Sequence, residues 1–471
     1  MKKKTIEGKY LYRYACDTFI TVVDACFFMQ IWYNFVKINN NTGSLTGMGN
    51  LLMSLGIYVG LTIIAFKGVG GYKIGVNRKT NILASQIVAI VSVNFVEIFF
   101  SMAITGQFRY FPELLMIYAM LSGIQCIVIC LISVPMIDAY RKKFPPLKLL
   151  EISGDNENDL WLKMAGRPDK YCIEKNIHYD TNLTEIKGIL PLYDAVLIND
   201  IPSKKKNDII KACFETGKRV YFTPKLSDII VKSSDALNLF DTPLYFCRNI
   251  GMPLWKRFIK RTMELVLSLF ALIVLSPVMA VVAILIHLED GGPIFFRQER
   301  CTLNGEKFMI LKFRSMIVDA EKDGRPRPAG EEDDRITKIG HFIRATRIDE
   351  LPQLVNIIKG EMSIVGPRPE RVEHVEKYCA DIPEFIFRQK VKGGLTGYAQ
   401  VYGKYNTSAL DKLKLDMIYI VNYSILMDIQ IIFETVKVIF SKESTEGFSS
   451  KQQDAIRGAA PDNDVQQVEH I

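Results

Sequence analysis

The sequence predicts a membrane α-helical bundle of four spans, an α/β Rossmann-like domain, and a mixed α/β domain carrying a re-entrant membrane helical hairpin. Three observations predict it. Four apolar runs fill the first third of the chain, each near the roughly 20 residues that cross a bilayer. Short apolar strands then alternate with helical stretches. Finally, glycine, arginine and short polar motifs crowd together behind one further apolar run, which is interrupted at Ser276-Pro277.

The bulk properties agree. The 471 residues are enough for two or three domains. Hydrophobic residues make up 49% and aromatic residues 11%, and mean hydropathy is +0.12, more apolar than an ordinary soluble chain. The formal net charge of +8 fits nucleic acid, an anionic membrane surface or anionic substrates. Nucleic acid is set aside, because neither a basic helix nor an aromatic-basic stripe is found. The nine cysteines are scattered, which argues against a disulfide framework and for cytoplasmic soluble parts. Cys126 and Cys130 lie one turn apart inside an apolar run and read as packing.

Residues 1–143 form the bundle, with apolar runs near 15–36, 51–66, 82–104 and 112–137. The basic start, Met1–Lys4, precedes no convincing cleavage site, so the first run is a retained helix. Loop charge alternates. Lys2, Lys3, Lys4, Lys9 and Arg13 precede the first run, and 39–50 has no charge. Lys67, Lys73, Arg78 and Lys79 sit in the next loop, then Arg109 alone, then the basic 139–143. Both ends of the bundle are therefore expected on the cytoplasmic side. Asp17, Asp24, Glu97 and Glu113 are expected to pair within it.

Residues 144–250 read as the α/β domain. Leu147–Ile152, Tyr193–Ile198 and Arg219–Thr223 are strand-like, and Asn156–Gly166 and Lys206–Gly217 are helical. The turn Ser153-Gly154-Asp155-Asn156 lacks the glycines that admit a pyrophosphate, so a structural or regulatory role is expected.

Residues 251–440 read as the chemical domain. Its apolar run, about 256–288, has length enough for a fifth span. Proline at 277 removes a backbone hydrogen bond, both flanks are basic, and a crossing would export everything after residue 290. The run is therefore expected to enter and leave on one side, with irregular backbone near Ser276 and Pro277 and the Ser276 hydroxyl satisfying freed groups. Residues 441–471 are polar and aperiodic, the composition of a disordered tail.

The most informative segment is Arg344-Ala345-Thr346-Arg347-Ile348-Asp349-Glu350-Leu351-Pro352-Gln353-Leu354. Asp349 suits a helix N-cap, and Gly360 suits the helix end. Cations and the helix dipole are expected to keep both carboxylates ionised. Alone, the segment is better read as a capped helix with surface salt bridges. Its neighbours shift that reading: Lys312-Phe313-Arg314 after a strand, Gly366-Pro367-Arg368-Pro369, and the loop Gly393-Gly394-Leu395-Thr396-Gly397. An acid pair, several arginines and a flexible loop beside a membrane insert suit a diphosphate–Mg²⁺ site.

From about 256 to 440 the chain resembles the bacterial sugar transferases, the single-subunit polyprenyl-phosphate phosphoglycosyl transferases. The resemblance rests on Ser276-Pro277, Asp290-Gly291-Gly292-Pro293-Ile294-Phe295-Phe296-Arg297-Gln298, Lys312-Phe313-Arg314-Ser315-Met316, Asp349–Leu354, Val365–Pro369 and Gly394–Val401. Lys404 follows Gly403 where many relatives have arginine. The resemblance implies that Asp349 attacks the β-phosphate of a UDP-sugar and releases UMP. A polyprenyl phosphate, such as undecaprenyl phosphate, then takes the phosphosugar. It implies Glu350 as the Mg²⁺ ligand and Arg314, Arg344 and Arg368 as phosphate cations, with Lys312 and Gln400 as weaker candidates. It implies a multi-pass protein of the bacterial plasma membrane with a cytoplasmic catalytic domain, at the start of exopolysaccharide, capsule or O-antigen synthesis.

Two other readings remain. One is a UDP-sugar glycosyltransferase that releases UDP, for which Asp333-Asp334 offers only a loop-like motif. The other is a non-catalytic membrane scaffold. The sugar is not legible, though glucose or galactose is favoured, and a homodimer is open.

Overall fold

A computed structural model describes residues 2–39, 48–155, 160–247, 252–318, 320, 333, 335–403 and 407–439. The polar tail, Lys404, Asp334 and Asn156 fall outside them. The described residues divide into two compact units, one up to Thr223 and one from Pro224 onward.

The first unit opens with four long helices: α1 (Lys2–Ile31), continued by a π-helical turn at Trp32–Val36, α2 (Met48–Val69), α3 (Lys79–Thr105) and α4 (Phe111–Lys143). All four are long and apolar enough to cross a membrane. Their outward faces are apolar, with Ile64, Phe95, Phe99, Met116, Ile127 and Leu131 exposed. The interior holds Phe28 stacked on Tyr58 together with Trp32, Leu114 and Tyr118. It also holds a polar layer to which every helix contributes. Asn94 donates to Ser122 (2.8 Å) and Gln125 (2.6 Å), and Gln125 donates to Tyr58 (3.0 Å) and Asp24 (3.3 Å). Apolar groups outside and polar groups inside is the arrangement of a bundle solvated by lipid.

The bundle's basic end carries the α/β domain of the same unit. Arg141 pairs with Asp169 at 3.0 Å, and Arg167 donates to the Val76 carbonyl at 3.2 Å. The domain runs β1 (Leu147–Ser153), α5 (Leu160–Ala165), β2 (Tyr171–His178), α6 (Leu183–Ile189), β3 (Ala195–Asn199), α7 (Ser203–Glu215) and β4 (Arg219–Phe222). Its four strands are parallel, in the order β2-β1-β3-β4. The sequence reading missed β2, whose alternating polar residues lack an apolar run. The turn after β1 is closed: Gly154 donates to the Asn199 carbonyl at 2.9 Å, and a side chain at 154 would strike the Asp200 carbonyl.

The second unit begins at Pro224, earlier than the expected boundary near 250. The reason is α8 (Leu226–Lys232), whose Ile229 packs with Phe385, Leu413 and Met417. A hairpin, β5 (Asp235–Leu239) with β6 (Thr242–Phe246), precedes the long helix α9 (Leu254–Asp290). Then come the antiparallel pair β7 (Phe295–Cys301) and β8 (Lys307–Phe313), α10 (Lys338–Ala345), α11 (Gln353–Lys359), β9 (Ser363–Val365) and α12 (Val372–Asp381). β10 (Gly394–Thr396) pairs parallel with β9, and α13 (Tyr398–Tyr402), α14 (Ala409–Val421) and α15 (Ile425–Ile439) complete the unit.

The irregular backbone expected near Ser276 and Pro277 is corrected: α9 is helical throughout. Pro277 cannot donate to the Ile273 carbonyl, and the Ser276 hydroxyl donates there instead, at 2.8 Å, as anticipated. Both arms of α9 pack on the same domain. In the first arm Lys260 reaches Asp428 (2.8 Å) and the Val365 carbonyl (3.1 Å), and Arg261 caps the Ile357 and Ile358 carbonyls at the end of α11. In the second, Val282 and Ile286 pack on Phe313 and Ile343, and Glu289 accepts from the Lys338 amide at 2.9 Å. Between the arms Ile273, Val274 and Val278 are 64%, 54% and 44% exposed, and Ser276 and Pro277 are exposed too. On the other side of the same stretch Ala271, Leu272, Leu275 and Met279 are half-buried, so α9 keeps one side against the domain and turns an apolar face outward.

Candidate active site

Residues Ile348–Glu350 form a short 3₁₀ turn between α10 and α11. Arg347 enters it with left-handed backbone, φ 58°. The expected N-cap role of Asp349 is therefore corrected, since α11 starts at Gln353 with Pro352 before it. The turn presents adjacent carboxylates in different surroundings.

Glu350 is held by two cations on one oxygen. Its Oε1 accepts from Lys312 Nζ at 2.9 Å and from Arg368 Nη2 at 2.6 Å. Burial would raise the Glu350 carboxyl, but Arg368 and Lys312 reverse this and hold it well below the usual carboxylate range. Burial in turn lowers the Lys312 ammonium, against the pull of Glu350. Lys312 is placed by Asn356 of α11, which accepts from the Leu311 amide (3.0 Å) and donates to the Met309 carbonyl (2.9 Å), tying α11 to the edge of β8.

Asp349 is buried, and among the described residues no hydrogen bond or ion pair reaches its carboxylate. Burial pushes its carboxyl up and Glu350 adds to this, while Lys312, Arg347 and Arg344 act against it. Cations and the helix dipole were expected to keep both acids ionised; at Asp349 burial opposes them and is the larger effect. Arg344, at the last turn of α10, is half-buried and has no bonded partner among the described residues.

The remaining expected residues divide. Arg368 joins the site, but Arg314 is engaged elsewhere: its buried guanidinium grips Asp290 at the end of α9 through two nitrogens, one at 2.7 Å. It braces α9 against β8. Gln400 donates to the Leu395 carbonyl at 3.2 Å, and its Oε1 is buried without a partner. Asp333 is paired with Arg335 at 2.6 Å, and Asp334 lies outside the described residues.

Residues 255–442 match the family model described as Bacterial sugar transferase. An uncharacterized sugar transferase of Haemophilus influenzae is 32% identical over 328 residues, covering 62% of this chain and 68% of that protein. The chain belongs to the bacterial sugar transferases. A UDP-glucose:undecaprenyl-phosphate glucose-1-phosphate transferase of Escherichia coli is 41% identical over 203 residues, 42% of each chain. An Aeromonas hydrophila UDP-N-acetylgalactosamine-undecaprenyl-phosphate N-acetylgalactosaminephosphotransferase is 41% identical over 187 residues, 39% of this chain and 44% of that one. The alignments thus span less than half the length of these two relatives.

In this bacterial sugar transferase, residues that sequence reading passed over also shape the site. Arg388 and Arg300 hold the main chain around Arg368, and Asp416 anchors Arg388 at 2.6 Å. No spacing marks Arg388 or Asp416, because their contact joins a 3₁₀ segment to α14, 28 residues away.

The donor set suits Mg²⁺. Magnesium is commonly held by one or two carboxylates plus substrate phosphates. Glu350 supplies one, and the cations on it occupy only Oε1, while Asp349 beside it is left unbonded. Among the described residues there is no group of three or more acidic, histidine or cysteine side chains to form an all-protein metal cage.

Proposed function

We propose that this chain transfers a sugar-1-phosphate from a UDP-sugar to undecaprenyl phosphate through a covalent intermediate on Asp349. The observation that carries the proposal is the divided acid pair. Glu350 is locked as an anion by Lys312 and Arg368, while Asp349 beside it is buried and unpaired. Neighbouring carboxylates in opposed environments take different chemical roles.

An Asp349 oxygen attacks the β-phosphorus of the donor. The bond from that phosphorus to the oxygen bridging to UMP breaks, and UMP leaves with the electron pair. An oxygen of undecaprenyl phosphate next attacks the same phosphorus. The bond to Asp349 breaks, returning the carboxylate and giving a lipid-linked diphosphosugar. Splitting the displacement lets a soluble donor and a membrane acceptor react in turn. Glu350 would hold Mg²⁺, which would neutralise phosphate charge when bound, and Asp349 stays free to attack. Arg368 and Arg344 are placed to meet phosphate oxygens, and Lys312 keeps Glu350 ionised.

The shape of α9 supports the acceptor assignment. Both of its ends pack on one domain, and its middle turns Ile273, Val274 and Val278 outward as an exposed apolar face. Such a face enters one leaflet, which brings the site to the lipid surface where a polyprenyl phosphate presents its head. The alternating loop charge supports a cytoplasmic catalytic domain, on the side where UDP-sugars are found. The donor is UDP-glucose or UDP-galactose, and the product opens the assembly of an exopolysaccharide, capsule or O-antigen.

The test is nucleotide release by the full chain with UDP-glucose, undecaprenyl phosphate and Mg²⁺. UMP from wild type, and none from Asp349→Asn, is expected. Release of UDP would replace this reading with that of a glycosyltransferase. Full activity in Asp349→Asn would remove the covalent step.

A further inference from the structure

The segment that presents Arg368 is anchored in an unusual way. Pro367 and Pro369 have no N–H, so the segment can be held only through other groups. Four consecutive carbonyls each have a donor. The Pro367 carbonyl accepts from the Gly394 amide (2.9 Å), and the Glu370 carbonyl from the Cys301 amide (3.1 Å). Between them, the Arg368 carbonyl accepts from Arg388 Nη2 (3.1 Å) and the Pro369 carbonyl from Arg300 Nη1 (3.1 Å). Packing alone does not fix the segment. Behind it lies a cavity of about 20 Å³ touching Thr302, Pro367, Phe385, Arg388 and Gly393, room for about one water.

Arg388 is buried, and each of its nitrogens is used. Nε donates to Asp416 at 2.6 Å, Nη1 lies 3.6 Å from Glu370, and Nη2 holds the Arg368 carbonyl. It makes no bond to Asp349 or Glu350 among the described residues. We propose that Arg388 is a positioning residue: gripping the Arg368 main chain sets the reach of the Arg368 guanidinium toward Glu350 and a diphosphate. This rests on the function proposed above. Arg300 is the second, weaker grip: among the described residues it bonds Gln298 and not a carboxylate, and its Nε is buried without a partner.

The obvious variant, Arg388→Ala, would strand the buried Asp416 and is open to misfolding. Arg388→Gln with Asp416→Asn keeps a neutral hydrogen-bonded pair and removes the donor to Arg368. Arg388→Lys retains one donor, and Arg300→Met removes the Pro369 donor without leaving an acid unpaired. Two quantities are read on the full chain: hydrogen exchange of residues 366–371, and kcat and KM for UMP release. The double variant is expected to exchange faster in that segment while melting as wild type does. Its kcat should fall roughly 10–100-fold, because misplacing a catalytic group by about 1 Å has that effect, with a smaller change in KM. Arg388→Lys should recover part of the kcat, and Arg300→Met should show the same pattern more weakly. Wild-type exchange in a folded double variant overturns the proposal, as does a loosened segment with unchanged kcat. If the double variant does not fold, Arg300→Met decides by the same two quantities. If wild type releases no UMP, the parent function fails, and the exchange result alone decides whether Arg388 holds the segment.

Discussion

Two neighbouring acids should respond in opposite ways to losing their charge. Glu350→Gln removes the anion between Lys312 and Arg368, both within 2.9 Å of Oε1. It leaves two cations facing each other in a buried setting. Breaking a buried pair by removing one partner costs about 3–5 kcal/mol. At about 2–4 °C per kcal/mol for a domain of this size, the melting of the second unit should fall by roughly 6–20 °C. Asp349→Asn removes a charge that burial opposes and that no side chain bonds, so its melting should stay level or rise. Both variants should lose activity. Differential scanning calorimetry of the full chain in detergent, with UMP release measured on the same samples, makes the comparison. Equal melting shifts in the two variants would refute the divided-pair reasoning, even if both were inactive.

The same division has a pH signature. Glu350 lies below its unfolded value of about 4.3, so its stabilisation is present above that pH and lost as pH falls. Glu370 behaves alike: burial would raise it, but Lys412 and Arg388 bring it down to about 2. Asp349 lies above its unfolded value of about 3.9, so its contribution is present below that pH and lost as pH rises through the folded value. Calorimetry across pH should show the stability gap between Asp349→Asn and wild type widening through that rise; a constant gap refutes the assignment. Gly394→Ala would drive a methyl group into the Gly366 backbone and separate β9 from β10, costing about 1–3 kcal/mol together with most of the activity. Val274 is more than half exposed, so Val274→Asp should change melting little. A carboxylate at lipid depth costs about 2.5–3.5 kcal/mol, so turnover with undecaprenyl phosphate should drop. Unchanged turnover would show that this face of α9 stays out of the bilayer.

The helices were legible because lipid-facing apolar runs are long and carry few charges. The runs at 82–104 and 112–137 fall inside α3 and α4. The buried strands β1 and β3 were legible as short apolar runs, whereas β2, with Glu174, Lys175 and Asn176 exposed, has no such pattern. The boundary near 250 followed local character. The boundary at Thr223 follows long-range packing of Ile229 on Phe385 and Leu413, which no local pattern encodes.

The site was legible in its residue types and less so in their engagements. Local sequence placed Lys312 and Arg314 together at the end of one strand, Arg314 as a phosphate cation and Lys312 as a weaker candidate. Two residues apart, they would share one face of a continuing strand. β8 ends at Phe313, so Arg314 lies past it and reaches Asp290 at the end of α9, while Lys312 reaches Glu350. The pair links the chemistry to the long helix: one side chain sets the charge of the acid, and the other ties the end of the same strand to the end of α9. Loss of Arg314 should then act through the seating of α9, and loss of Lys312 through Glu350, although only Phe313 separates them and they carry the same charge.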